Sequence, residues 1–283
     1  MPIDPKLVGK ELPPLEHVYT AKDVILYALG IGAGARPEDL KFTYENELET
    51  LPTFGVVPPF GSVLSIVGME GMDFNLAMLL HGEQYLELYQ TIPVEGKLIS
   101  YPKIAGIYDK GKGALVEIDV ITKNSKGETI FTNRFSNFIR GEGGFGGDRG
   151  PEPGLEPPDR EPDRVVAMQT LPQQALLYRL SGDVNPLHAD PGFAAFGGYE
   201  KPILHGLCTF GFAGRAVLQE YCANDPARFK AIKVRFSRHV FPGETIVTEM
   251  WEVEPDKIII RCKTAERGEY CLTNAAVWLN RVL

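Results

Sequence analysis

An α+β chain built from the same unit twice is the fold that this sequence predicts, and three observations carry the prediction. A helix signal followed by a run of β signals occurs twice along the 283 residues. Landmarks inside those two occurrences recur at a nearly constant offset. A stretch crowded with glycine, proline and charge, 141–164, lies between them and reads as a linker. The length suits two units, because domains run to about 100–200 residues.

In the first unit (1–140), Thr20-Ala21-Lys22-Asp23 reads as a helix start, with Thr20 as cap and Asp23 three residues on. The helix is predicted through 24–29 and stops in Gly30-Ile31-Gly32-Ala33-Gly34-Ala35. That run matches G-x-G-x-x-A, a dinucleotide fingerprint. A helix precedes it and the polar Arg36-Pro37 loop follows, the reverse of what the fingerprint needs, so no nucleotide cofactor is expected. Pro58-Pro59-Phe60-Gly61, Gly68 and Gly71 break up the segment where a central helix would lie. Strands are predicted at 98–108, 114–122 and 129–139, divided by turns at Asp109-Lys110-Gly111 and Asn124-Ser125-Lys126-Gly127.

The second unit (165–283) shows its central helix plainly. From Gly206, apolar or small residues fall at Leu207, Phe210, Gly211, Gly214, Val217, Leu218 and Tyr221, the spacing of a buried face. Gly211 and Gly214 cost helix propensity and imply close approach of a strand or partner backbone. Strands are predicted at 231–236, 245–253, 257–264 and 270–279. Leu26-Tyr27-Ala28-Leu29 recurs as Leu177-Tyr178-Arg179-Leu180, an offset of 151, and Gly96-Lys97-Leu98-Ile99 as Gly243-Glu244-Thr245-Ile246, an offset of 147. Asp109-Lys110 and Asp256-Lys257 both fall 13 and 14 residues after those glycines. Thr132-Asn133 and Thr273-Asn274 both follow a turn glycine, Gly127 and Gly268, by five and six residues.

Composition narrows the function classes. A net charge of −8 argues against a nucleic-acid binder. A polyanionic small ligand would then need a local basic patch, for which Lys110 and the run Lys230, Lys233, Arg235 and Arg238 are the candidates, a solvated strand face being the alternative for each. No run of about 18 apolar residues suggests a membrane span, and no secretory signal is expected. Cys262 and Cys271 could face each other across a hairpin, but with Cys208 and Cys222 they read as buried free thiols of a reducing compartment. Arg281-Val282-Leu283 is not the S-K-L peroxisomal address.

The chemistry concentrates between Tyr178 and Gly206. Asp183, Asn185 and His188 fall within six residues on a turn set by Gly182 and Pro186. A carboxylate and an imidazole that close can hold one water and move its protons. Which is formally base and which acid stays open. Asn185 has no useful pKa and reads as orienting the site. His205 reads as a capping or core histidine, and Gly206, opening a helix, offers a backbone N–H to an oxyanion. A metal at Asp183, His188 and Asp190 is disfavoured, since zinc prefers His and Cys and only one His lies in that cluster. No G-x-S-x-G is present, which removes the usual serine-hydrolase elbow. The equivalent place in the first unit, Gly30-Ile31-Gly32-Ala33-Gly34, has neither Asp nor His, so that unit is expected to be catalytically silent.

The run Tyr178-Arg179-Leu180-Ser181-Gly182-Asp183-Val184-Asn185-Pro186-Leu187-His188, with Ala194 six residues on, resembles the signature of the (R)-specific enoyl-CoA hydratases, the MaoC-like group. The wider chain resembles the hydratase 2 module of peroxisomal multifunctional β-oxidation enzymes. Matching stretches include Leu51-Pro52-Thr53-Phe54-Gly55-Val56, Leu80-His81-Gly82-Glu83-Gln84-Tyr85, Gly141-Glu142-Gly143-Gly144-Phe145-Gly146-Gly147 and Lys201-Pro202-Ile203-Leu204-His205-Gly206.

The resemblance implies a double hot-dog fold, each sheet wrapped round a central helix, and cofactor-free, reversible hydration of trans-2-enoyl-CoA to (3R)-3-hydroxyacyl-CoA. It implies Asp183, Asn185, His188 and Gly206 as catalytic positions. His81, Gly82, Lys110, Val184, Pro186, Leu187 and Phe236 are implied beside them as contacts of an acyl-CoA substrate. It further implies a homodimer and, in a eukaryote, a peroxisomal address, with the cytoplasm as the alternative. Glu45 matches a glutamate of the family but lies in the silent unit and reads as structural. The competing classes are a thioesterase on a similar fold and a non-catalytic acyl-CoA-binding protein, which would have lost Asp183 or His188. The broken central helix of the first unit is expected to leave a cavity for a medium, long or branched acyl tail, lined by Leu64, Ile66, Val67, Phe74 and Leu76.

Overall fold

The computed structural model describes residues 3–280 except Pro153, so Arg281, Val282 and Leu283 lie outside the described residues. The strands are β1 (Leu15–Tyr19), β2 (Leu79–Leu88), β3 (Gly96–Asp109), β4 (Gly113–Asn124), β5 (Thr129–Arg140), β6 (Arg164–Gln169), β7 (Phe229–Phe236), β8 (Thr245–Glu254), β9 (Lys257–Thr264) and β10 (Tyr270–Leu279). The helices are α1 (Ala21–Gly30), α2 (Leu40–Thr43), α3 (Gln174–Tyr178), α4 (Pro191–Phe196) and α5 (Gly206–Cys222). All pairings are antiparallel, in the order β1-β3-β4-β5-β2-β7-β10-β9-β8-β6. The five strands of each unit therefore form half of one ten-stranded sheet. The seven strands anticipated from sequence are present. β1 and β6 are short edge strands, and β2 is broken by a bulge between His81 and Glu83, so none of these three announced itself by alternation.

The halves join where β2 pairs with β7, Glu83 facing Arg235 and Glu87 facing Ala231. Glu83 is ion-paired across that seam with Lys233 and Arg235, and the two cations hold its carboxyl below the usual range against the pull of burial. Two of the three basic candidates on β7 thus close the seam, leaving Lys230, and Arg238 beyond the strand, exposed.

Only the second half has a full central helix. α5 runs 17 residues and is buried on nearly all sides. Its counterpart is two 3₁₀ stretches, Pro52–Val56 and Phe60–Ile66, consistent with the prolines there. The first of these packs on α5, the second mainly on β4 under the first half, and the α1–α2 loop lies against α5 as well. A Cβ on Gly211 would lie 2.5 Å from Ile31 Cγ2, and one on Gly214 the same distance from Thr53 Cγ2. The close approach expected at these glycines is therefore made by side chains of the first half, not by a strand backbone. Gly32, at φ +77°, turns the chain where a Cβ would strike Phe212. Nearby, Arg215 of α5 bonds Ile31 O at 2.8 Å and pairs with buried Asp39 at 3.1 Å. The repeated tyrosines Tyr27 and Tyr178 meet with ring centroids 6.1 Å apart.

The linker is fixed to the outer face of the second half, where Leu155 packs on Trp251 and the Trp251 indole donates to Arg160 O. All four cysteines are buried and free. Glu45 is exposed after α2. The anticipated lining of a tail cavity is corrected. Leu64, Val67 and Leu76 face outward at 53, 39 and 49% exposure, whereas Ile66 and Phe74 belong to an apolar cluster under the first half. In a 3₁₀ stretch the facing of successive residues does not follow the α-helical spacing that sequence reading assumes.

Replacing Gly211 with Val is expected to destabilise the chain by about 1–3 kcal/mol, because Ile31 has nowhere to move in a packed interior. Urea unfolding measures this. A stability equal to the parent's would show that the first half does not rest on α5.

Candidate active site

The site lies where α5 begins, held by a loop that short-range capping folds. Gly182 adopts φ 121° and reverses the chain after α3. Asn185 N donates to Asp183 Oδ1 at 3.2 Å, and Asn185 Oδ1 accepts from Leu187 N at 3.0 Å, so this amide shapes the turn. Val184, Asn185 and Pro186 are exposed, Leu187 half-buried and His188 buried. Asp190 is spent as the cap of α4, accepting from Gly192 N and Phe193 N.

His188 is pinned by Nδ1 donating to Ile203 O at 2.9 Å, which leaves Nε2 as the unprotonated nitrogen of the neutral ring. His205 stacks on it with centroids 3.7 Å apart and donates from Nε2 to the Asp183 backbone carbonyl at 3.0 Å. His205 is therefore more than a core histidine: it fastens the Asp183–His188 turn to the start of α5. Sequence reading missed this because the partner is a backbone atom 22 residues away. Tyr178 stands 5.0 Å from the His205 ring on the other side.

Burial sets the electrostatics. It pushes the Asp183 carboxyl up, with His188 and the Asn185 N–H opposing. It pushes His188 down, with Asp183 opposing. Burial, and then the neighbouring His188, lower His205 to about 2, so it stays neutral. The ligand atoms of Asp183, His188 and His205 lie within 4.8 Å of one another, the one such grouping among the described residues. Because the His205 Nε2 and His188 Nδ1 are already committed to carbonyls, the arrangement suits proton transfer better than metal ligation.

Gly206 is exposed, and as the first residue of α5 its N–H has no intrahelical partner. A Cβ there would come 3.1 Å from the Phe236 ring, so glycine allows Phe236 to lie against the helix start. Phe236 in turn meets the His81 ring edge-on, 4.9 Å away. His81 is held neutral, lowered to about 4 by burial against the pull of the Glu83 backbone and the Gln84 amide. Gly82 forms the bulge in β2 and would press a Cβ to 3.2 Å from Ser136 O. A recess of about 10 Å³ beside Asp183, walled by Val56, Val57, Phe60, Tyr178, Ser181 and Leu207, has room for about one water. The first half thus contributes three of its walls, though not the residues anticipated.

Lys110 lies at the same end of the sheet, in the β3–β4 turn. Four strand steps separate it from Phe236, about 19 Å along the sheet at the usual strand spacing. Asp109 builds that corner, accepting from Gly144 N and Gly111 N at 2.8 Å and from Gly146 N at 2.7 Å. These N–H groups, Gly144 first, hold its carboxyl below the usual range. The site residues anticipated from sequence thus fall into two groups on one sheet end: the Asp183, Asn185, His188 and Gly206 cluster at the start of α5, and a line from Phe236 through His81 to Lys110.

Comparison with known proteins identifies the family. Residues 17–141 match the MFE-2 hydratase 2 N-terminal domain, and residues 154–274 match the MaoC like domain. A probable enoyl-CoA hydratase 2 of Dictyostelium discoideum is 49% identical over 277 residues, covering 95% of this chain and 94% of that protein. The peroxisomal multifunctional enzyme type 2 of Mus musculus is also 49% identical, over 95% of this chain but 38% of its own length. The crystal structure of a MaoC-like dehydratase from Phytophthora capsici superposes with a TM-score of 0.89 at 35% identity, covering 99% of this chain and 100% of that one. With likeness of that extent along both halves, the chain belongs to the MaoC-like hydratase 2 family.

Proposed function

We propose that the chain adds water reversibly across the double bond of trans-2-enoyl-CoA to give (3R)-3-hydroxyacyl-CoA. The observation that carries this reading is the Asp183–His188 pair set beside the open N–H of Gly206. Water held by the pair gives up a proton to it as the oxygen bonds C3. The displaced electron pair moves through C2 onto the thioester oxygen, where the Gly206 N–H and the start of α5 stabilise it. The pair then returns a proton to C2. No electrons are gained or lost, so the step needs no redox cofactor.

The first half serves as the binding half. Lys110 suits a phosphate of the coenzyme A arm, with the arm passing His81 and Phe236. Val56, Val57 and Phe60, where a central helix would otherwise stand, suit the acyl tail, which favours medium, long and branched chains. A homodimer fits the exposure of Leu180, Val184 and Phe196 around the catalytic turn. A peroxisomal address fits relatives named peroxisomal.

Loss of absorbance at the enoyl-thioester band with crotonyl-CoA and a longer enoyl-CoA, followed by chiral analysis of the product, tests the reading. Release of free coenzyme A without hydration would assign a thioesterase instead. Asp183→Asn and His188→Gln are each expected to lower turnover by about 10²–10⁴-fold while the fold persists; near-normal turnover in either would remove the assignment. Lys110→Ala is expected to raise KM for CoA thioesters with little change in kcat, because it removes binding shared by ground and transition states. A fall in kcat alone would place the first half in the chemistry.

The pH profile follows from the site's electrostatics. Burial raises Asp183 from about 3.9 and lowers His188 from about 6.5, so the acid limb of kcat/KM should lie between those values, activity falling as pH drops. A limb at or above the ordinary imidazole value would contradict the burial of His188.

A further inference from the structure

The linker begins with a glycine-rich loop, 141–147, that takes no part in the reacting group. It folds instead against the β3–β4 turn that carries Lys110. At its start, Gly141 N donates to Lys112 O at 2.9 Å, and just past its end Asp148 O accepts from Asp109 N at 2.8 Å. Phe145 anchors its middle on the apolar cluster under the first half. Between these points the loop closes on the Asp109 carboxylate, which is only 8% exposed. Oδ1 accepts from Gly144 N and, within the turn, from Gly111 N, while Oδ2 accepts from Gly146 N. Gly143 passes so near the turn that a Cβ would lie 2.5 Å from Gly111 O and 2.6 Å from Gly113 N.

A carboxylate immediately before a phosphate-binding lysine is at first sight ill placed. It would repel the phosphate and offer the ammonium a competing partner. Here both of its oxygens are engaged by backbone N–H groups, a convergence that ordinarily receives a bound anion. Among the described residues, the ion pairs of first-half cations are Lys41–Glu49, Lys97–Glu16 and Arg134 with Glu117 and Asp119. Lys110 is in none of them. Its backbone is fixed on both sides, because Gly111 N is held by Asp109 and Lys110 N donates to Gly113 O at 3.0 Å. Lysine is a point charge on a flexible four-carbon stem, so what it contributes to affinity depends on how firmly its backbone is seated.

We propose that Asp109 is a positioning residue for coenzyme A: by binding the linker loop it seats the turn that presents Lys110 to a phosphate of the substrate. The inference rests on the hydratase reading, with Lys110 as its phosphate contact, and extends it to the linker. Asp109 touches no reacting atom, and the loop acts only through the turn.

The test measures kcat and KM of the full chain for an enoyl-CoA and for the matching enoyl-pantetheine, which carries no phosphate. Asp109→Asn leaves an amide that can accept on one side only. It is expected to raise KM for the CoA thioester about three- to tenfold, between the worth of an exposed ion pair and of a charged hydrogen bond, with kcat little changed. The pantetheine thioester should show no such rise. In a Lys110→Ala background Asp109→Asn should raise KM no further, because the two residues act as one. Gly143→Ala, whose methyl would push the loop off the turn, should act as Asp109→Asn does, and it serves if that variant does not fold. An unaltered KM for the CoA thioester in Asp109→Asn would overturn the proposal. Equal rises for both thioesters would overturn it too, reducing Asp109 to upkeep of the fold, as would full additivity with Lys110→Ala. If the parent hydrates neither thioester, the hydratase reading is what fails, and calorimetric binding of coenzyme A to the same variants then tests Asp109 by itself.

Discussion

Ile31 and Thr53 occupy the space that side chains at Gly211 and Gly214 would fill, and through that contact a single helix serves two half-sheets. The first half has no central helix of its own to cover. Its Pro52–Val56 stretch and glycine loop lie on α5, so its packing is completed by the second half. Arg215 and Asp39 fix the same junction. The pair is buried, and its net stabilisation against an apolar pair of the same shape is small, but removing one partner would strand a charge at a cost of about 3–5 kcal/mol. Apolar contact holds the halves together, and the ion pair selects the way they meet.

The site inherits its rigidity from this junction. Asp183 sits on a loop, an ordinarily mobile place for a reacting group. Here His205, at the head of α5, grips the loop's backbone, while the stacked His188 is tied to Ile203. Both ring nitrogens that face away from the reaction are used as anchors, and this also sets the tautomer that presents Nε2 of His188. The burial that draws Asp183 and His188 toward one another in pKa comes from the same packing, with Tyr178, Leu207 and the first half's Val56 and Phe60 forming the walls.

Much of this was legible in the sequence, for local reasons. The strands of the two meanders have strong alternation and turns at Gly111, Gly127 and Gly268, all with positive φ. The missing central helix of the first half declared itself by its prolines. Other features were not legible, because they depend on partners distant in the chain. The register of β2 against β7 decides that Lys233 and Arg235 meet Glu83 instead of a ligand. The facing of Leu64, Val67 and Leu76 depends on a 3₁₀ geometry that apolar composition does not encode. The bulge at Gly82 hid β2 altogether.

The seam between β2 and β7 has one more consequence. In an assembly of two identical units, symmetry copies every substitution into both, so a residue that improves one wall of a site is also imposed on the other. Here the two units are consecutive stretches of one chain, and the seam is made between unlike strands. A change on one side of it is made once per site. The glycine loop could wedge against α5 without displacing an Asp–His turn. Covalent continuity, by holding the partner at a fixed effective concentration, frees each half from the other's sequence.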